Sequence, residues 1–231
     1  MISVDEWNLA ARTTKEFYLE KFRETILNWI SEKEAEILDV LDKKRYSVGC
    51  KSFGSSIRER NQLEMAINES REKNNGGVDL ATLDRICRWG FNMRFPERNP
   101  DEVIKVTRKA FESADKDDFY YAAFEMMKPK WVNISRASKI IGLSNQEKLC
   151  IYDSRVGHAL RTLKKGGVKL IRCPPDRSFK RDWDKGTKKT RAIDYERLIW
   201  TMEVFREHFK NKNRLLRAAD IEIALYVIGE K

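Results

Sequence analysis

Phe17, Phe22, Ile26, Leu27, Trp29, Ile30, Ile37, Leu38 and Leu41 recur largely at steps of three and four. That period gathers them on one side of an α-helix and would scatter them over both faces of a strand. The expectation is therefore one long or two consecutive amphipathic helices within residues 1–50. The same reading extends down the chain. A helix is expected near 56–72, and Asp79 stands as an N-cap before LATLDRICRWGF. Pro100 suits the first turn of PDEVIKVTRKAFESA, and KDDFYYAAFEMMK has to stop before Pro129. DYERLIWTMEVFREHF and RAADIEIALYVIG form the last two helices, with Asp220 and Glu222 read as capping and solvated residues. YSVGCKSFGSS, EKNNGGVD and NMRFPERNP are the breaks. Only short pieces such as VKLIRC suit a strand, and no internal repeat is present, so the expected fold is all-α, a single compact unit over 1–231.

With 41% apolar residues the chain can bury a core, yet no apolar run reaches the roughly 18 residues needed to cross a bilayer. The N-terminal MISVDEWNLAARTTKEF is acidic and amphipathic, unlike a secretion signal. A soluble, cytoplasmic protein without a membrane partner is expected, nucleoid-associated if bacterial. Cys50, Cys87, Cys150 and Cys173 are too far apart to seed a zinc or iron–sulfur site and read as free, mostly buried thiols. With only His158 and His208, little material exists for a metal centre, and neither metal nor organic cofactor is expected. Lys and Arg number 46 against 36 Asp and Glu, and the +10 surplus points to a polyanion, most often nucleic acid. Its densest part is the basic loop 172–191, whose composition cannot build a core; Lys185, Lys188 and Lys189 are its candidate phosphate contacts.

Residues 117–163 carry the most specific pattern. FYYAAFEMMKPKWVNISRASKIIGLSNQEKLCIYDSRVGHALRTL reads as helix, a connection of about seven residues, a second helix, a loop, Asp153 and a third helix. An aspartate at a helix start accepts backbone N–H groups, which fixes its direction and favours its ionised form.

WVNISRASKIIGL followed by IYDSRVGHALR resembles the helix-hairpin-helix DNA glycosylase superfamily, in which a hairpin and its second helix precede an aspartate that opens the next helix. The resemblance implies two helical lobes with the active site between them, and base removal from double-stranded DNA by a monomer that flips the base out. It implies Asp153 as the catalytic carboxylate, stabilising an oxocarbenium-like sugar and orienting water. Lys130, Trp131, Asn133, Ser135, Arg136, Lys139 and Arg155 would lie along the DNA. Trp89 and Phe91, in RWGFNMRF, would stack on the extruded base. The chain departs from the family in two places. Trp131-Val132-Asn133 stands where members carry Gly-any-Gly, Asn133 being the one of the three that tolerates a left-handed backbone. The lysine slot of the lyase members falls on Ser135, with Arg136 next, and neither forms a Schiff base. The implied enzyme is a monofunctional glycosylase acting on a damaged base in repair or on a modified base of phage DNA. A non-catalytic DNA-binding protein on the same scaffold, or an RNA-binding or RNA-processing helical protein, also accommodates the composition.

Overall fold

A computed structural model describes residues 11–46, 51–96, 99–174 and 186–230. The described chain is mostly helical, as the apolar period requires. The N-terminal period resolves into one helix, α1 (Lys15–Asp42), started by Thr14, whose hydroxyl accepts the Phe17 amide. It is followed by α2 (Phe53–Lys73), α3 (Leu80–Phe91), α4 (Pro100–Asp115), α5 (Phe119–Met126), α6 (Ile134–Gly142), α7 (Ser154–Ala159), α8 (Lys188–Asn211) and α9 (Ala218–Ile228). Asp79 caps α3 by accepting the Thr82 amide at 2.8 Å, and Pro100 occupies the first turn of α4. The strand-like piece supplies only a two-residue rung, Val168–Lys169 against Lys164–Lys165, turned at Gly166 and Gly167 with positive φ. No described helix is long and apolar enough to cross a membrane.

The centre of the molecule is α8. Every residue from Arg191 to Met202 is buried, because α1, α5, α6 and α9 all lie against it. Tyr18 of α1 shares a 2.9 Å hydrogen bond with Thr201, and Trp29 packs on Phe205 at 5.8 Å. A helix enclosed in this way should be apolar all round, yet Asp194, Glu196 and Arg197 lie inside. Partners make that tolerable for the two acids. Glu196 takes the Arg12 guanidinium at 2.8 Å; Asp194 takes Arg172 at 3.0 and 3.1 Å and Arg191 at 3.7 Å. Burial still pushes the Asp194 carboxyl up to about 6.

These pairs correct the reading of 172–191 as a wholly solvated or partner-neutralised loop. Arg172 and Arg191 are buried side chains of the core, and α8 begins at Lys188, ahead of the start at Asp194 that its apolar period suggested. Lys185 lies outside the described residues.

Candidate functional site

Helix α5, a connection over 127–133, and α6 form the hairpin in the expected order. Asn133 starts α6 with extended backbone, φ −96° and ψ 175°, and its side chain accepts the Arg136 amide at 3.0 Å. The left-handed turn considered for this position is absent; Asn133 is an N-cap. Ile134, Ala137, Ile140 and Ile141 anchor the inner face of α6. At its end, Gly142 lies so close to the Cys150 carbonyl that a Cβ would stand 2.6 Å from it. The returning segment 149–153 therefore runs directly against α6.

Ser138 sets the register between them. Its hydroxyl accepts the Tyr152 amide at 2.9 Å and reaches the Tyr152 carbonyl at 3.1 Å, with both residues fully buried. One residue beyond each partner stand Lys139 and Asp153. The clamp between Ser138 and Tyr152 thus brings an amine and a carboxylate face to face, Lys139 Nζ to Asp153 Oδ2 at 3.6 Å, the two side chains only 9% and 10% exposed.

The two oxygens of Asp153 have separate tasks. Oδ1 accepts the amides of Arg155 and Val156 at 3.1 and 3.2 Å and starts α7, while Oδ2 faces Lys139. Lys139 also donates to Ser135 Oγ at 3.4 Å. Its aliphatic stem crosses α3 at Gly90, where a Cβ would come within 2.7 and 2.9 Å of Cδ and Cε. Its ammonium lies 4.6 Å from the centre of the Phe91 ring, with the Arg136 guanidinium 5.6 Å from the same ring. RWGF and the hairpin, distant in sequence, meet at Lys139.

A second buried polar group lies beside this pair. Arg60 of α2 binds Glu222 of α9 at 2.7 Å, Gln146 at 3.1 Å and the Tyr46 hydroxyl at 3.4 Å. Asp220 does cap α9, accepting the Arg217 amide at 3.0 Å, but Glu222 is a core residue rather than a solvated one. Burial pushes its carboxyl up against the pull of Arg60, and Asp153 and Lys139 are near enough to act on it in opposite directions.

The other expected site residues divide by position. Phe91 is half-buried at the pair. Trp89 is buried beside Arg60, its indole N–H without a partner among the described residues, and presents no open face. Arg155 is engaged by its own chain, donating to the Tyr226 hydroxyl at 2.6 Å and pairing with Glu230 at 3.2 Å. Lys188 donates to the Met127, Lys128 and Pro129 carbonyls, tying the start of α8 to the hairpin connection. Lys130 and Lys189 are exposed, Ser135 and Trp131 half-buried, and Trp131 stands edge-on to Phe95 at 4.4 Å. Lys139, expected along the DNA, is turned inward to a carboxylate. A register that left no amine at Asp153 missed this. No signal in the sequence marked the pair; it follows from the Ser138–Tyr152 hydrogen bond, which only the folded chain shows. No protein-family model, curated protein or solved structure matches the chain.

Proposed function

We propose that the chain is a DNA glycosylase of the helix-hairpin-helix type, releasing a damaged or modified base with Asp153 and Lys139 as its catalytic residues. The double-stranded DNA partner and a site set between two helical lobes belong to the same proposal. The observation that carries it is the Lys139–Asp153 pair, held nearly out of water at the start of α7. Low exposure strengthens the attraction between a fixed carboxylate and a cationic sugar relative to the same pair in water.

In the first step Lys139 gives up a proton, by way of Asp153, to the departing base. The C1′–N bond breaks, its electron pair leaves with the base, and Asp153 stabilises the positive sugar. The free amine adds to C1′, one of its protons passes by way of Asp153 to O4′, the ring C1′–O4′ bond breaks with its electron pair on that oxygen, and a protonated imine forms. Water hydrolyses this imine to an abasic sugar and restores the amine.

The test is incubation of the full chain with duplexes each carrying one modified base, with and without borohydride, which reduces an imine to a stable protein–DNA adduct. The expected outcome is base release, with an adduct for the wild type and none for Lys139→Gln. Base release without any adduct would return the mechanism to water activation by Asp153. Binding without release would leave a DNA-binding protein on this scaffold. A preference for single-stranded RNA would replace both.

A further inference from the structure

At the end of α3 an aromatic ring meets the Lys139 ammonium. We infer that Phe91 is a positioning residue for Lys139, its ring holding the charged nitrogen beside Asp153 and releasing it once the proton has left, an inference that rests on the amine step of the glycosylase reading.

The polar contacts of the ammonium are long. Ser135 Oγ lies at 3.4 Å and Asp153 Oδ2 at 3.6 Å, whereas a hydrogen bond that fixes a nitrogen spans about 2.7–3.2 Å. Neither oxygen by itself sets where the nitrogen stands. The Phe91 ring supplies the third contact, its centre 4.6 Å from Nζ, inside the roughly 6 Å over which a ring face attracts a cation. Only 9% of the Lys139 side chain is exposed, so little water competes for the charge. Arg136 approaches the same ring at 5.6 Å, but its guanidinium is committed to the Trp131 carbonyl and to Met93 Sδ, which leaves Lys139 the nearer cation.

The ring is itself fixed. Phe91 is the last residue of α3, and Asn92 ends the helix in the left-handed conformation, φ 50°, its amide bonded to the Arg88 carbonyl at 3.1 Å. The Phe91 side chain is half-buried and packs on the core. One residue earlier, Gly90 leaves room for the lysine stem, since a Cβ there would stand 2.7 Å from Cδ. Two consecutive residues of α3 thus serve one lysine, Gly90 passing its stem and Phe91 meeting its charge. That attraction is between a ring quadrupole and a cation, and it is largely lost when the amine becomes neutral. In the proposed reaction the proton that leaves by way of Asp153 therefore ends the ring's hold, and the nitrogen is freed toward C1′ as it becomes able to form a bond.

The experiment uses a duplex with a natural abasic site, whose sugar offers an aldehyde at C1′ and no base, so stacking on a base plays no part. The amine adds to the aldehyde carbon, the carbonyl oxygen leaves as water, and hydride from borohydride reduces the imine to a stable secondary amine. Wild type is compared with Phe91→Leu and with a chain carrying trifluorinated phenylalanine at position 91, a ring of similar shape whose face has lost most of its negative charge. At saturating protein, adduct formation should slow by about 10- to 100-fold in Phe91→Leu, the cost of a misplaced reacting group. The fluorinated ring should slow it about tenfold, in the range of a partly desolvated cation–π contact. Affinity for the abasic duplex should stay close to wild type in both. A fluorinated chain that forms the adduct as fast as wild type, or faster, would overturn the inference, as would an adduct that survives Lys139→Gln or no adduct from wild type. The readout needs no base release. Adduct formation here without release from any modified duplex would sink the glycosylase reading and keep the role of Phe91, whereas base release with no adduct on either duplex would do the reverse.

Discussion

At Asp153, asparagine separates two roles that share one side chain. The substituted side chain would keep an oxygen for the Arg155 and Val156 amides, and asparagine caps as well as aspartate. What it removes is the charge facing Lys139 and, in the proposed reaction, the charge that would face the sugar cation. Asp153→Asn leaves the nearly buried Lys139 ammonium without its counter-charge and so lowers the thermal midpoint somewhat, but it should keep the fold and DNA affinity and slow base release by at least about 100-fold, measured in single-turnover assays. Lost stability with unchanged release would reduce Asp153 to a cap. Gly90 offers the converse test. A methyl there must push the Lys139 stem aside, yet alanine is a better helix former than glycine by about 1 kcal/mol. Gly90→Ala should therefore fold at least as well as wild type while base release falls by about 10- to 100-fold, the usual cost of a misplaced reacting group.

At the scale of elements, the site depends on two neighbours, α6 and the segment 149–153, and on the hydroxyl that joins them. Ser138→Ala would leave the Tyr152 amide and carbonyl buried without this partner. Such orphaned groups cost about 1–3 kcal/mol each. The urea midpoint should fall accordingly, and base release should drop further than stability explains, because Lys139 and Asp153 lose their shared register. Asn133→Ala, at the other end of α6, removes only a cap. It should cost about 1 kcal/mol and leave the rate of base release within a few-fold of wild type. An equal loss of activity in both variants would mean that α6 acts as one rigid body and that the clamp has no special part.

For the whole molecule, the buried Arg60–Glu222 pair joins α2 to α9 across 162 residues of sequence. Both side chains are essentially inaccessible, so losing one partner strands the other's charge. Glu222→Gln or Arg60→Met alone should destabilise by roughly 3–5 kcal/mol in urea denaturation, whereas joint replacement by apolar residues should recover most of that loss. Two single-variant losses that add in the double variant would show that the charges do not act as a pair. Three guanidiniums, Arg172, Arg191 and Arg197, lie buried around the centre of α8, so the +10 formal charge is not purely a surface property.

The apolar period of residues 17–41, the caps at Asp79 and Asp153, Pro100 at the start of α4, and the order of hairpin, loop and third helix were all legible in the sequence. Each expresses interactions within about one helical turn, where chain neighbours decide the outcome. Pairings between distant residues could not be read in that way. Lys139 with Asp153, Arg60 with Glu222 and Arg172 with Asp194 all look like ordinary surface charges until helices from remote parts of the chain enclose them. The same holds for α8, whose sequence predicts a helix but whose neighbours made it the core. A side chain's helical face follows from local geometry, but whether that face meets water, an ion partner or another helix depends on packing, which only the tertiary structure decides.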